Sequence, residues 1–316
     1  MYVPSPFREG DPEKTERVIR DDLSTDEEND MGEKLTFRQV DAFTGVSFKG
    51  NPVGVVHDAD RLPAEQMQAI ARWANLSETT FVCAPTAAAA DYRLRIFTPA
   101  CELPFAGHPT IGAAHAVLRG GLRPKTPGTL VQECAKGLIP LRVEGEKLFF
   151  ELPEPTLHDI PDEQSAAVAD SLRISPREVA ARALIDVGPV WLTLQLTDAD
   201  AVRRLRPDQT RVAAVTPRGA VGITVFGLEP EGAEAQLEVR SFAPAQGVAE
   251  DPVCGSGNGC VAALVRRERL VETDSYVARQ GRCIGRDGRI EIRFREGDAI
   301  WVGGQAVTCV EGTLET

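Results

Sequence analysis

The chain has 316 residues, of which 42% are hydrophobic and 26% are charged, a composition typical of a folded protein long enough for two domains. Its net charge of −12 argues against nucleic acid or an anionic membrane as a partner, because both bind basic surfaces. The sequence has no apolar run of about 20 residues and no secretory signal, so we expect a cytoplasmic protein with no membrane partner.

No cofactor motif is found in the sequence. Seven cysteines and four histidines are dispersed without a CxxC pair or a Cys/His cluster, which predicts neither a disulfide framework nor a metal site. The GSGNG segment lacks the spacing of a dinucleotide-binding motif, and no phosphate-binding loop motif is present. We therefore expect no metal and no nicotinamide, flavin or ATP cofactor.

The first 34 residues are strongly acidic. They carry 11 acidic and five basic side chains and so hold −6 of the net charge, which predicts a disordered tail over residues 1–34. Alternating apolar residues begin at Leu35 and predict the elements of the first half. The predicted strands cover residues 35–43, 52–58, 78–84, 91–98, 128–135, 138–144 and 147–152, and the predicted helices cover residues 63–75 and 108–119.

Pro153 and Pro155 mark a predicted domain boundary, after which the second half resembles the first. Its predicted helices cover residues 163–183 and 256–269, and its predicted strands cover residues 184–196, 219–227, 234–242, 276–281, 289–294 and 299–311. One helix in each half is apolar and rich in small residues, so we expect it to be buried on all sides. The fold class predicted is α+β, with two similar domains, each a curved sheet wrapped around a central helix.

A duplicated motif supports this division. Residues 95–118 read RIFTPACELPFAGHPTIGAAHAVL, and residues 240–265 read RSFAPAQGVAEDPVCGSGNGCVAALV. Each copy runs Arg-x-Phe-x-Pro-Ala, then a loop, then a glycine turn that opens a helix. A helix N-terminus has unpaired N–H groups and a partial positive charge. Two such ends facing one cleft predict a site for a small ligand that carries a carboxylate.

Several polar residues near these turns are candidates for chemistry. His108 follows a glycine at the start of the first helix, where a neutral imidazole can donate one hydrogen bond and accept another. Asp251 and Ser256 flank the second turn, where a helix cap and a catalytic group are equally reasonable interpretations. Glu78 is either a solvated turn residue or, in a closed apolar cleft, a group that moves protons.

Cys254 precedes the second helix, where a thiolate would be stabilised. A racemase with two thiols needs a second cysteine at the matching place of the first copy, and that place is Ala106. The sequence therefore disfavours a symmetrical mechanism with two cysteines, although Cys254 could still contact a substrate.

Four segments together resemble the PhzF-like phenazine-biosynthesis family, which is related to diaminopimelate epimerase and proline racemase. They are VDAFTGVSFKGNPVGVV, NLSETTFV, FTPACELPFAGHPTIGAAHAVL and EDPVCGSGNGCVAAL, and the resemblance covers roughly residues 35–312. It implies epimerase-like domains at residues 35–152 and 153–300, with the active site between them. It also implies a homodimer and a final strand at residues 301–316. In one arrangement this strand crosses back to the first domain.

By motif position, the resemblance implies a role for each candidate residue. Glu78 would be the acid/base that carries a proton, and His108 and Asp251 would hold and polarise the substrate. The residues expected to bind substrate are Asn51, Gly107, Cys254, Gly255 and Ser256. Cys254 departs from the pattern of the member that names the family, which has a small hydroxyl residue there. It matches instead the second catalytic cysteine of the epimerases.

We therefore expect an isomerase that shifts a proton on a small carboxylated, amino-bearing metabolite without a cofactor, as the naming member does with a dihydro-hydroxyanthranilate. One alternative is an amino-acid epimerase or racemase that uses Cys254 and Glu78 as two bases. Another is a protein that binds a small metabolite in the same cleft without catalysis.

Overall fold

The computed structural model describes residues 34–295 and 298–316. The predicted acidic tail, apart from Lys34, lies outside the described residues. The helices of the described residues are α1 (Ala64–Ala74), α2 (Gly107–Arg119), α3 (Asp162–Ser171), α4 (Ala199–Arg204), α5 (Gln209–Val215) and α6 (Gly255–Glu268). None of these helices is long and apolar enough to cross a bilayer.

The same residues form 17 strands. In the first half they are β1 (Lys34–Ala42), β2 (Asn51–Val56), β3 (Thr79–Cys83), β4 (Tyr92–Phe97), β5 (Glu102–Leu103), β6 (Thr129–Cys134), β7 (Gly137–Glu144) and β8 (Lys147–Glu151). In the second half they are β9 (Thr156–His158), β10 (Val179–Asp186), β11 (Val190–Leu196), β12 (Gly222–Leu228), β13 (Leu237–Ala243), β14 (Val248–Asp251), β15 (Ser275–Gln280), β16 (Gly288–Phe294) and β17 (Ile300–Glu315).

Strands of the first half close into a ring with the help of the last strand. Hydrogen-bonded ladders join β1, β2, β3, β4, β6, β7, β8 and β17 in that order, and β17 pairs with β1 to complete the ring. The start of β17 pairs with β8, and its later part, from Ala306 to Glu315, pairs with β1. Helix α2 packs against several strands of this ring, which include β1, β2, β3 and β17.

The second half repeats this order of pairing. β10 and β11 are antiparallel like β1 and β2, and β11 and β12 are parallel like β2 and β3. The pairs β12–β13, β13–β15, β15–β16 and β16–β17 likewise follow β3–β4, β4–β6, β6–β7 and β7–β8. Helix α6 packs against β10, β11, β12 and β17. The repeated pairing agrees with the duplicated motif, while the limits of two separate domains stay a prediction.

Helices α2 and α6 contain small residues because their neighbours approach closely. A Cβ atom on Gly112 would lie 2.3 Å from Cγ1 of Val53, and one on Gly259 would lie 2.6 Å from Cδ1 of Leu152. Both helices are buried along most of their length, and a hydrophobic core with residues of both halves surrounds them. Close packing of this kind fixes where the two helix N-termini lie.

Two predictions for the second half are wrong. The helix predicted over residues 163–183 ends at Ser171, and residues 179–186 form β10. The alanine-rich sequence of β10 favours a helix locally, but pairing with β9 and β11 holds it in the sheet. The single strand predicted over residues 184–196 is divided between β10 and β11 by a turn at Gly188, whose φ is 102°.

Candidate active site

The N-termini of α2 and α6 lie next to each other. Gly107 and Gly255 are the first residues of these helices. A Cβ atom on Gly107 would lie 3.8 Å from Cα of Gly255, and one on Gly255 would lie 3.5 Å from the backbone nitrogen of His108. The unpaired N–H groups of the two helices are therefore close together. Their partial positive charges favour an anionic group at this place.

Glu78 and His108 face each other at the α2 end of the site. Glu78 directly precedes β3, and its backbone oxygen accepts a hydrogen bond of 3.3 Å from the backbone N–H of Gly54. Oε2 of Glu78 lies 3.3 Å from Nε2 of His108. Both atoms are buried, yet neither makes a well-aligned hydrogen bond within the described part of the chain. Unpartnered buried polar atoms are uncommon, and here they mark a place where polar groups of a ligand can bind.

Asn51 links residues of the two halves. Its Nδ2 donates to Oδ1 of Asp251 at 2.9 Å and to the backbone oxygen of Val253 at 3.0 Å, and it lies 3.4 Å from Nδ1 of His108. Because both of these oxygens accept hydrogen bonds, the Asn51 atom that faces them is the amide nitrogen. His108 Nδ1 therefore faces a donor, which leaves Nε2 to carry the ring proton on the side of Glu78. Oδ1 of Asn51 is a further buried atom without a partner in the described residues.

The two carboxyl groups and the imidazole of the site have shifted pKa values. Burial raises the pKa of Glu78 to about 7, and the hydrogen bond with Ser77 offsets only part of this effect. Burial lowers the pKa of His108 to about 4, against the opposing charge of Asp251, so its ring is neutral near pH 7. Burial also raises the pKa of Asp251 to about 6. Of the nearby groups, His108 lowers this pKa and Glu78 raises it. A carboxyl group with a pKa near neutrality can both take up and return a proton.

Cys254 caps α6 with a buried thiol. Its Sγ accepts a hydrogen bond of 3.2 Å from the backbone N–H of Gly257 and lies 3.7 Å from Oγ of Ser256. The residue is only 3% exposed, and burial raises the pKa of its thiol well above the ordinary value. The position before a helix suggests a thiolate, but the loss of solvation outweighs the effect of the helix.

Ser256 and His108 occupy matching places in the two halves. Ser256 is the second residue of α6, as His108 is of α2. Its Oγ accepts a hydrogen bond of 2.9 Å from the indole Nε1–H of Trp191 in β11. The hydroxyl therefore lies at a helix N-terminus and is held there by the buried side chain of Trp191.

Gln280 holds the loop that carries Asp251 and Cys254. Its Oε1 accepts hydrogen bonds from the backbone N–H of Cys254 at 3.1 Å and from Nδ2 of Asn258 at 2.7 Å. Its Nε2 donates to the backbone oxygen of Asp251 at 2.9 Å. Sequence reasoning missed both Gln280 and Trp191. The available signals, a glutamine at a strand end and a tryptophan in an apolar run, are weak.

The predicted site residues all lie in this one region. They are Asn51, Glu78, Gly107, His108, Asp251, Cys254, Gly255 and Ser256. The structure thus brings together every residue that the sequence singled out, although they come from segments up to about 200 positions apart, as Asn51 and Asp251 are. The role of each residue stays a prediction.

Comparison with known proteins gives consistent matches. The chain matches the family model of phenazine biosynthesis-like proteins, PhzC-PhzF, over residues 40–312. It is 41% identical over 291 residues to antisense-enhancing sequence 1 of Schizosaccharomyces pombe, with 88% of this chain and 97% of that protein covered. It is 35% identical over 283 residues to trans-2,3-dihydro-3-hydroxyanthranilate isomerase of Pseudomonas fluorescens, with 87% and 97% covered.

A solved structure agrees with these sequence matches. The PhzF-family phenazine biosynthesis protein of Bacillus anthracis is similar with a TM-score of 0.80 at 25% identity, and the match covers 90% of this chain and 100% of that one. The similarity extends over both halves and both central helices. The chain belongs to the PhzC-PhzF family of phenazine biosynthesis-like proteins.

Proposed function

We propose that this chain is an isomerase that moves a proton between two carbon atoms of a small carboxylated, amino-bearing metabolite, without a cofactor. Glu78 is the single acid/base of this reaction. Relatives named as isomerases support the class of reaction, and the relative from Pseudomonas fluorescens is named for a substrate that carries an amine and a carboxylate.

The observation that carries the proposal is the state of Glu78. Its side chain is 15% exposed, and its carboxyl group has a pKa of about 7 and directs an unpartnered Oε2 toward the neutral ring of His108, 3.3 Å away. A solvated turn residue would have none of these properties. A group that must remove a proton and then return it needs all of them.

The geometry suggests how the groups share the reaction. Ionised Glu78 removes a proton from one carbon of the bound substrate and becomes a neutral carboxylic acid. The electron pair left behind is delocalised as an enolate-like charge, which the N–H groups of α2 and α6 stabilise, together with the Nε2–H of His108. The proton on Glu78 exchanges with solvent, and Glu78 then gives a proton to another carbon on the same face. Asn51, which donates to Asp251, holds His108 in the required orientation.

Two observations favour one base over the two that an epimerase needs. In the duplicated motif Phe97 corresponds to Phe242, and each of them pairs with a residue on the neighbouring strand. The residue just before that pairing partner is Glu78 in the first half and Gly222 in the second, so Gly222 holds the position that matches Glu78. A Cβ atom on Gly222 would lie 2.1 Å from the backbone oxygen of Phe242, so no side chain fits there. The second observation is the thiol of Cys254, which burial keeps protonated near neutral pH.

Transfer of deuterium from solvent to carbon tests this function. The purified protein is incubated in heavy water with trans-2,3-dihydro-3-hydroxyanthranilate and, separately, with a pool of small metabolites. Deuterium bound to carbon is then measured by mass spectrometry. We expect Glu78→Gln to slow incorporation by about 10²- to 10⁴-fold. Cys254→Ser and the exposed control Glu65→Gln should stay within about threefold of the unaltered protein.

Each other outcome favours a different function. Incorporation that survives in Glu78→Gln and is lost in Cys254→Ser would support an epimerase in which the thiol is essential. A compound that binds tightly but gains no deuterium with any of the proteins would support a metabolite-binding protein.

A further inference from the structure

We propose that Trp191 is a positioning residue, which fixes the Ser256 hydroxyl as a hydrogen-bond donor and so makes the α6 end of the site selective for a carboxylate. This inference rests on the proposed function, because it assigns the orientation of the substrate in the same site. The carboxylate would bind at α6, and the reacting carbons would lie toward Glu78 at the α2 end.

Trp191 is held tightly at this place. It is 2% exposed and lies in β11, where it is paired with Ile185 of β10 and with Gly222 of β12. Its indole Nε1–H donates to Oγ of Ser256 at 2.9 Å. Buried on both sides by neighbouring strands, the ring has little freedom to turn away from the hydroxyl.

The indole occupies a space that is different in the first half. Leu192 pairs with β12 at the same place in the second half as Gly54 pairs with β3 in the first. Trp191, the residue before Leu192, therefore corresponds to Val53, the residue before Gly54. A Cβ atom on Gly222 would lie 2.9 Å from Cζ3 of Trp191. In the second half the indole ring therefore fills the space beside Gly222. In the first half the corresponding space holds the side chain of Glu78. One half of the site thus has a proton-carrying carboxyl group, and the other has an indole and a hydroxyl.

The chemistry of the two partners fixes the direction of the hydrogen bond. An indole N–H can only donate, so Ser256 must accept from Trp191. Its own hydroxyl proton is then free for another acceptor, and Sγ of Cys254, at 3.7 Å, is a distant and weak one. The hydroxyl lies in the first turn of α6, where N–H groups are unpaired and the helix dipole is positive.

These conditions distinguish a carboxylate from an amine. A carboxylate can accept the Ser256 proton and the backbone N–H groups together, and such charge-assisted hydrogen bonds are about twice as strong as neutral ones. An ammonium group would meet the positive end of the helix dipole. Without the indole, the hydroxyl would rotate freely and part of this preference would be lost.

Calorimetric titration with a matched pair of ligands tests the inference. Anthranilate carries a carboxylate and an amine on a planar ring, and anthranilamide has the same ring with an uncharged amide. Binding of each is measured at neutral pH to the unaltered protein, to Trp191→Phe, to Ser256→Ala and to the double variant. The control is Trp301→Phe, since Trp301 is also buried but packs against Arg142, whose guanidinium lies 4.2 Å from the ring centroid.

We expect the unaltered protein and Trp301→Phe to bind anthranilate at least about tenfold more tightly than anthranilamide. Trp191→Phe and Ser256→Ala should each weaken anthranilate about tenfold and change anthranilamide little. The double variant should bind no more weakly than Ser256→Ala alone, because Trp191 acts through Ser256.

Three results would overturn the inference. They are equal losses for both ligands in Trp191→Phe, additive losses in the double variant, and failure of the unaltered protein to prefer anthranilate. Calorimetry needs no turnover, so a normal carboxylate preference with no deuterium transfer would reject only the proposed function. Deuterium transfer without this preference would reject only the role of Trp191.

A spectroscopic measurement on the unaltered protein remains informative if Trp191→Phe does not fold. The chain has three tryptophans, so the indole N–H signal of Trp191 can be assigned by its persistence in Trp73→Phe and Trp301→Phe. Anthranilate should shift this signal more than anthranilamide does. Equal shifts with both ligands would contradict the inference.

Discussion

Burial is the main cause of the properties of Glu78. A carboxylate in water is stabilised by solvation, and the surroundings of Glu78 remove most of this solvation without adding a cationic partner, since burial lowers the pKa of His108 to about 4. The folded protein therefore disfavours the charge on which the proposed reaction depends. Such a carboxyl group has a direct effect on stability, and this effect can be measured without a substrate.

Glu78→Gln should change the pH dependence of stability. The folded-state pKa of about 7 exceeds the ordinary value of 4.5, so the folded protein binds more protons than the unfolded chain between these values and loses stability as the pH rises. This difference corresponds to about 3 kcal/mol at most. Glu78→Gln should match the unaltered protein below about pH 4.5 and exceed its free energy of unfolding by up to about 3 kcal/mol at about pH 8.

Urea unfolding at several pH values checks this expectation. His108 and Asp251 titrate in both proteins, so their contributions largely cancel in the difference, apart from the effect of the Glu78 charge on the pKa of Asp251. The exposed control Glu65→Gln should show the same difference from the unaltered protein at every pH. A difference for Glu78→Gln that does not grow with pH would mean that Glu78 is solvated in the folded protein.

The sequence predicted the members of the site but not all of their surroundings. Glu78 and Asp251 could be named because each stands in a short motif whose order along the chain is distinctive. Local reasoning alone could not decide whether Glu78 is a solvated turn residue or a buried acid/base, since its burial depends on strands that are remote in sequence. Trp191 and Gln280 were not predicted, for a related reason. Their function consists of hydrogen bonds to α6 and its preceding loop, and no local pattern records such contacts.

Among the elements, the two central helices were predicted well and the short ones were missed. Small residues and a preceding glycine turn identified α2 and α6, because both features repeat. Helices α4 and α5 have only six and seven residues, too few for a clear apolar period. In the structure Asp198 and Asp208 are the N-cap residues of these helices, and each accepts a hydrogen bond from a backbone N–H of the first turn.

Gly222→Ala should strongly destabilise the second half. The new Cβ atom would lie 2.1 Å from the backbone oxygen of Phe242 and 2.9 Å from the ring of Trp191, and a paired strand cannot move away easily. We expect a loss of about 2–4 kcal/mol in the free energy of unfolding, measured with urea. Gly312→Ala, in β17, is the matched control, because nothing lies within 4 Å of its Cβ position. Equal effects of the two changes would mean that the strands around Gly222 adjust readily.

In the whole molecule, β17 joins the two halves. It pairs with β16 of the second half and with β8 and β1 of the first, so each half depends on the other for a complete set of strands. Two ion pairs reinforce its end, Arg38 with Glu311 at 2.7 Å and Lys34 with Glu315 at 3.1 Å. Glu311 and Glu315 are well exposed, so these pairs contribute little beside the ladder itself.

Removal of residues 306–316 should prevent stable folding. The truncation deletes one of the two strand partners of β1 along its whole length and opens the ring around α2. We expect a loss of more than about 5 kcal/mol, comparable to the total stability of many domains, seen as lost cooperative melting in calorimetry and circular dichroism. Glu311→Gln removes only the exposed ion pair and should change the free energy of unfolding by less than about 1 kcal/mol. A truncated chain that melts like the full one would contradict this dependence.

The pairing of β1 with β17 also affects the order of events during synthesis. Lys34 pairs with Glu315, which is translated much later. Until Glu315 has left the ribosome, one edge of β1 therefore lacks its partner, and free strand edges attract other unfolded chains. We therefore expect neither half to complete its set of strands before residues 306–315 have been made, so that both halves finish folding together.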